Sequence, residues 1–330
     1  MSAATDSPET DVATAVAAAA ELLGSARDVT LLAHVQPDAD ALGSALALGT
    51  VLARRGAQVR VSFGSPAGAP ESLRPLDALG LLVPPDEVPA APDLLVMCDT
   101  AAVERLGSLA DRLAAARASL LIDHHASNPG FGDVQVLDPS AEATAVLVHR
   151  VLTAMGAAID STVGACLYAG LVTDTSGFRR AGPAAHRMAA QLLEAGVDVE
   201  AVLRPISDDH PFSWLGALAD VLHDARLDPD AAGGHGLVSA VVPVALMERF
   251  RVEEVDGVVD LLRTASEADV AVVAKQVGPR RWSLSMRSRT VDVAAAAVAL
   301  GGGGHPRAAG VTLDGEPAEV LDRLKAVLGR

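Results

Sequence analysis

Aromatic side chains are scarce in this chain. It holds five Phe, two Trp and one Tyr among 330 residues, although half of all residues are hydrophobic. The core must therefore be built mainly from Ala, Val and Leu. Cysteine is scarce too: Cys98 and Cys166 each sit inside an apolar run, which excludes a disulfide framework and points to buried reduced thiols. Basic charge falls well short of acidic charge, with 26 Lys and Arg against 42 Asp and Glu and a net charge of −16. Proteins that grip long nucleic acids through phosphates offer a basic surface. A long duplex is therefore excluded as a partner, and a short nucleic acid would need local positive charge, such as a bound metal. No apolar run reaches the roughly 18 residues of a membrane span. The N-terminal stretch carries acids where a signal peptide has a basic head. A soluble, cytoplasmic protein is the expectation.

What is present is alternation. Strand patterns at 29–35, 57–63, 93–99 and 118–125 alternate with helical patterns at 40–56, 141–155 and 160–173. This order predicts an α/β fold with a doubly wound parallel sheet, whose ligands gather beyond the carboxyl ends of the strands. A polar, breaker-rich connector follows an amphipathic helix. A second, smaller α/β unit then begins, with strands predicted at 236–242, 269–277 and 281–288, a helix at 291–299, the run Gly301–Gly304 before His305, and a terminal helix. The expected boundaries are 1–190 for the first domain, 191–215 for a flexible linker with a hinge near 200–212, and 216–330 for the second domain.

Polar residues cluster at four predicted element ends. His34, Asp38 and Asp40 follow the first strand, Asp99 ends another, and Asp123, His124 and His125 end a third. Asp174 ends an apolar helical run. Taken singly, Asp38 or Asp40 reads equally well as a helix cap, as do Asp99 and Asp174. Caps need no histidines, however, and no common location. Several carboxylates with few imidazoles and no thiolates suit Mn²⁺ or Mg²⁺ before Zn²⁺. Seven of these residues, all but Asp123, are candidate ligands, more than one ion needs. A pair of ions sharing a carboxylate can activate water and stabilise the oxygens of a phosphoryl displacement.

The strings HVQPDADALGS, CDT, IDHHASN and GLVTDTSGF, in this order and spacing, resemble motifs I to IV of the DHH phosphoesterase superfamily. SMRS and GGGGHPRAAG resemble the DHH-associated domain of the branch holding RecJ-like exonucleases, cyclic-dinucleotide phosphodiesterases and the short NrnA-type enzymes. The resemblance spans about residues 20 to 325. It implies two Mn²⁺ ions, with Mg²⁺ or Co²⁺ as substitutes. His34 and Asp38 would hold one ion, Asp40, His124 and Asp174 the other, and Asp99 would bridge both. Asp123 would orient its neighbours. His125 would contact the scissile phosphate and either bind it or protonate the leaving oxygen.

From the second domain the resemblance implies substrate binding by Arg287, Gly302, Gly303, Gly304 and His305. Glycine N–H groups, with the positive end of a helix expected to follow, would face phosphate. Arg287 also reads as a plain surface salt bridge. The implied activity is hydrolysis of short oligoribonucleotides such as pApA to mononucleotides and of 3′-phosphoadenosine 5′-phosphate to AMP. The alternative is a cyclic-dinucleotide (c-di-AMP) phosphodiesterase. A non-catalytic nucleotide sensor is disfavoured because every ligand type is present. The basic signature of DHH-type inorganic pyrophosphatases is absent from the second domain. No membrane partner is expected, and a homodimer is.

Overall fold

A computed structural model describes residues 8–66 and 68–329. The chain divides between Asp208 and Asp209 into two compact units. The first holds strands β1 (Asp28–Leu32), β2 (Gln58–Ser62), β3 (Leu94–Cys98), β4 (Ala118–Asp123) and β5 (Val134–Leu137). They form one parallel sheet in the order β2-β1-β3-β4-β5. Around it run α1 (Pro8–Ser25), α2 (Ala39–Arg54), the short α3 (Asp111–Ala115), α4 (Thr144–Ala154), α5 (Ser161–Asp174), α6 (Pro183–Glu194) and the short α7 (Val199–Leu203).

The period of two along each strand divides the core. Val29 and Leu31, Val96 and Cys98, and Leu120 and Ile122 join the large cluster packed by the long helices. Leu32, Leu95, Met97 and Leu121 point to the other face, where Leu106, Leu109 and Leu113 cover them. Both faces are buried, so the strands read as continuous apolar runs. Helix α2 lies tightly against α5 because Gly170 leaves room for Asp40: a Cβ there would come 2.7 Å from the Asp40 carboxylate. Both cysteines are buried free thiols, and burial pushes the Cys166 thiol up to about 12.

The residues expected to form a linker are largely helical. Residues 191–194 finish α6, α7 follows, and a π-helical turn spans Arg204–Asp208, all within the first unit. In the second unit α8 (Phe212–His223) already begins at the end of the expected connector.

The second unit continues with β6 (Arg226–Asp228), α9 (Ala231–Gly234), β7 (Leu237–Val242), α10 (Val244–Met247), α11 (Val252–Asp256) and α12 (Val258–Leu262). Then come β8 (Val270–Gly278), β9 (Arg281–Ser288), α13 (Val293–Ala299), β10 (Gly303–His305), β11 (Ala308–Asp314) and α14 (Pro317–Leu328). The six strands form a sheet in the order β10-β11-β9-β8-β7-β6, antiparallel except between β7 and β8. Trp282, Leu284 and Met286 of β9 face α13 and α14. On the opposite face α8 and α12 pack over Ala271 and Val273 of β8. Among the described residues no helix is long and apolar enough to cross a membrane.

Asp269 ties the turn after β9 to the start of β8. It accepts hydrogen bonds from Ser288 Oγ at 2.6 Å, Thr290 Oγ1 at 2.7 Å and the backbone N–H groups of Arg289, Thr290 and Val291. Burial opposes its charge, but these donors hold its pKa well below the usual range. A depressed pKa stabilises the fold above the ordinary carboxylate value of about 3.9, and that contribution disappears as pH falls through the folded value. Asp269→Asn is therefore expected to destabilise the second unit by about 1–2 kcal/mol at pH 7, a modest figure because the group is partly exposed. Urea titrations at pH 7 and pH 2.5 check this: the difference between variant and wild type should shrink at the lower pH.

Candidate metal centre

The strand ends deliver the predicted residues to one place in the first unit. His34 follows β1, Asp99 follows β3 and Asp123 closes β4, on three neighbouring strands running in the same direction. Asp99 holds a left-handed backbone at φ 56°, a strained conformation for a non-glycine residue that turns the chain at the strand end.

Beside a further group of Asp99, Asp123 and His125, two groups of ligand atoms form in the first unit, each with its members within 4.8 Å of one another: His34, Asp38 and Asp99, and Asp40, His124 and Asp174. Asp99 faces both. Its Oδ2 lies 3.5 Å from His34 Nε2, and its Oδ1 lies 3.6 Å from His124 Nε2. His34 Nε2 is also 3.6 Å from Asp38 Oδ2, and His124 Nε2 is 3.4 Å from Asp174 Oδ2.

The two histidines are oriented alike. His34 Nδ1 lies 2.8 Å from the carbonyl oxygen of Val35, and His124 Nδ1 lies 3.1 Å from that of Ala141. With Nδ1 beside a carbonyl, Nε2 is the ring nitrogen aimed at the carboxylates, the atom that a metal would take in place of a proton. Arg105 brings a guanidinium to the edge of this group, with Nη2 3.0 Å from His34 Nδ1.

Both motif I carboxylates also cap helices. Asp38 Oδ1 accepts from the backbone N–H groups of Asp40 and Ala41, capping α2 and leaving Oδ2 toward His34. Asp40 caps a helix far away in sequence: it accepts from Thr144 N at 2.7 Å and Ala145 N at 2.9 Å, the first residues of α4. Ala143, at the cap position of α4, has no side chain for the task. The cap and ligand readings are thus compatible, because a carboxylate oxygen has two lone pairs.

The electrostatics favour cations. Burial and the charges of Asp99, Asp174 and Asp38 push Asp40 well above the usual carboxylate range. Burial, with Asp99 and Asp38, lifts Asp174 to about 6 against the pull of His124. For His34, burial opposes charge, but Asp38 and Asp99 outweigh it and raise the pKa to about 10. Burial also opposes charge on Asp38 and Asp99, but the neighbouring histidines hold both below the usual range. Four crowded carboxylates around two imidazoles that present Nε2 fit a pair of divalent ions. Oxygen and imidazole donors without thiolate suit Mn²⁺ or Mg²⁺.

Asp123 stands behind this wall, fully buried. It accepts from His125 Nδ1 at 2.7 Å and from Asn128 Nδ2 at 2.5 Å, and Asn128 also donates to the carbonyl of Thr100 at 2.9 Å. The His125 tautomer is thereby fixed with a proton on Nδ1. Burial works against a charge on His125, but Asp123 and Asp99 raise its pKa overall. Sequence reasoning overlooked Thr144, whose Oγ1 donates to Asp99 Oδ1 at 2.9 Å. Nothing in a Thr inside an Ala-rich segment signals that partner.

In the second unit Arg287 lies on β9, with Nε 3.6 Å from Asp260, so it does make the salt bridge that the sequence allowed. The glycine run differs from expectation. No helix follows it directly; Gly303–His305 forms β10, paired antiparallel with β11, while the helix expected before the run is present as α13. The glycines permit this hairpin to close. A Cβ on Gly302 would lie 2.2 Å from Gly310 O, and one on Gly304, at φ 137°, 2.5 Å from Ala308 O. Gly303 is different: a Cβ there would meet nothing within 4 Å. The fold does not require that residue to lack a side chain.

Residues 28–171 match the DHH family, N-terminal domain, and residues 229–330 match the DHHA1 domain. A Thermus thermophilus protein described as bifunctional oligoribonuclease and PAP phosphatase NrnA is 32% identical over 291 residues, covering 87% of this chain and 84% of that one. A Mycoplasma pneumoniae protein described only as uncharacterized is 29% identical over 297 residues, 86% of each chain. Among solved structures, an exopolyphosphatase-related protein from Bacteroides fragilis shares the fold, with a TM-score of 0.84 at 21% identity over 96% of this chain and 95% of that one. The chain belongs to the DHH phosphoesterase family, of the NrnA type. It is a metal-dependent hydrolase.

Two outcomes follow from this geometry. Asp174→Asn should raise the metal-free melting temperature by a few degrees, because it removes a repelled charge, and should abolish the upward shift that Mn²⁺ gives the wild type. Thermal scans with EDTA and with Mn²⁺ read both. Gly302→Ala should destabilise the second unit by about 1–3 kcal/mol through its clash, whereas Gly303→Ala should stay within about 0.5 kcal/mol of wild type. Denaturation midpoints separate them.

Proposed function

We propose that the protein hydrolyses short oligoribonucleotides such as pApA to mononucleotides and 3′-phosphoadenosine 5′-phosphate to AMP, using two Mn²⁺ ions. The observation that carries this reading is the pair of ligand groups meeting at Asp99, one carboxylate oxygen toward each. His34 and Asp38 would hold one ion, Asp40, His124 and Asp174 the second, with Asp99 between them. Bound there, such ions supply Lewis acidity and lower the pKa of water for attack at phosphorus. The printed name of the Thermus thermophilus relative supports the substrate class.

The chain's own residues have separate tasks. Asp123 fixes the ring of His125 so that Nε2 is the position at which a proton is held for the leaving oxygen. Asn128 steadies Asp123 from the opposite side, which keeps that geometry when substrate enters. Arg287, Gly302, Gly303, Gly304 and His305 bind the substrate's phosphates and sugar. Gly303 supports this role, since its missing side chain leaves open space that a ligand can use. The net charge of −16 favours short substrates over long duplexes. A cytoplasmic homodimer is the setting that this reading assumes.

Turnover of pApA, 3′-phosphoadenosine 5′-phosphate, c-di-AMP and pyrophosphate with Mn²⁺, Mg²⁺ or Co²⁺ tests the assignment. The expected result is release of AMP from the first two. Asp99→Ala and His124→Ala should lose more than 100-fold in kcat/KM, and Asp123→Asn about 10–100-fold with the fold intact. Fast turnover of c-di-AMP with slow turnover of pApA would replace the substrate assignment by the cyclic-dinucleotide one. Full activity in Asp99→Ala would end the two-metal reading, and tight nucleotide binding without any hydrolysis would leave a sensor.

A further inference from the structure

Two arginines of the second unit share one carboxylate oxygen. Arg263 Nε donates to Asp260 Oδ1 at 2.8 Å, and Arg287 Nε lies 3.6 Å from the same atom. Two guanidinium groups against one carboxylate leave a net positive charge, and both arginine side chains are only about 30% exposed (28% and 31%). The neighbouring Arg289 is engaged elsewhere: its guanidinium donates to the carbonyl oxygens of Arg263, Ala265 and Ser266, just beyond α12. That arrangement fixes the backbone of Arg263 and leaves its side chain beside Arg287.

The surface around the pair is flat. Partners across strands share a face of the sheet. Arg287 therefore lies in one row with Ala308 and His305, and the next row is Ser285, Gly310 and Gly303. Nothing larger than serine stands in these rows between Arg287 and His305, which are separated by two strand spacings, about 9–10 Å. Helix α12, carrying Asp260 and followed by Arg263 at its C-terminal cap, borders that floor on the β8 side.

We propose that Arg263 is a specificity-determining residue that, together with Arg287, cradles a terminal phosphate of the substrate, with Asp260 holding the two guanidinium groups in place until the phosphate displaces it. The proposal rests on the substrate-binding role assigned above to the second unit. A terminal phosphate carries a charge of about −1.5 to −2 and three acceptor oxygens at neutral pH, while a phosphodiester carries one charge. Paired planar guanidinium forks match the first far better than the second. Asp260 offers only a single shared oxygen, so it is the weaker partner. The cradle thus selects 5′-phosphorylated dinucleotides over those that begin with a free hydroxyl.

The experiment compares pApA with ApA on the Mn²⁺-loaded protein. The wild type should favour pApA. Arg263→Ala should raise KM for pApA about tenfold with kcat retained and leave ApA unchanged, so the preference collapses. Arg263→Lys should restore it in part, and Asp260→Asn should lower KM for pApA by removing the competing charge. An unchanged preference in Arg263→Ala, or an equal loss on both compounds, overturns the cradle. Should the wild type turn over neither compound, calorimetric binding of the same two to the same variants reads the cradle alone. A preference that Arg263→Ala abolishes would then sustain it while the hydrolytic reading fails.

Discussion

Mutual repulsion among buried carboxylates is the constraint around which the first unit is organised. Asp40, Asp99 and Asp174 are drawn together from three segments of chain, and burial alone would drive them to accept protons. The fold offsets the cost locally with imidazoles, which hold Asp99 below the usual range, and with neutral donors. Thr144 gives its hydroxyl to Asp99, and the N-terminus of α4 gives two N–H groups and its positive dipole end to Asp40. What remains uncompensated is negative and inward-facing, which is why the site calls for divalent cations and why an acidic protein can handle phosphate.

On the proposed reading, the two units would meet an anion by different means. In the first, positive charge is to be imported, and the protein's share is to orient two imidazoles and to divide the two oxygens of Asp99. In the second, the charge is built in, as arginine on a sheet face kept clear by glycine, alanine and serine. The DHH match falls within the first unit and the DHHA1 match within the second.

The sequence was most legible where one physical pattern acted alone. Apolar runs ending in Asp or His marked β1, β3 and β4, because strands buried on both faces carry ionisable side chains only at their ends. The same pattern places the motif residues at one edge of one sheet. It was least legible where partners are distant or side chains uninformative. Helix α1 lies in an Ala-rich stretch read only for its charge, since alanine marks no face. Strand β5 has four residues, too few for a period to emerge. The glycine run was assigned to a turn before a helix, whereas its close pairing with β11 depends on atoms some six residues further on. Asp38 and Asp40 looked like a choice between cap and ligand; only the fold reveals that two helices, one of them 104 residues away, take their caps from the same loop.

That last feature bears on how such a chain can evolve. Asp40 is at once a wall of the cleft and the end-stop of α4, and Asp38 does the same for α2. A lineage that abandoned the chemistry would not be free to discard these residues, since each helix start would need a replacement cap within hydrogen-bond reach. Architecture thereby guards the motif independently of selection for turnover. Drift toward an inactive relative is expected to strike His34, His124 or Asp174 first, positions for which no helix start depends on the side chain.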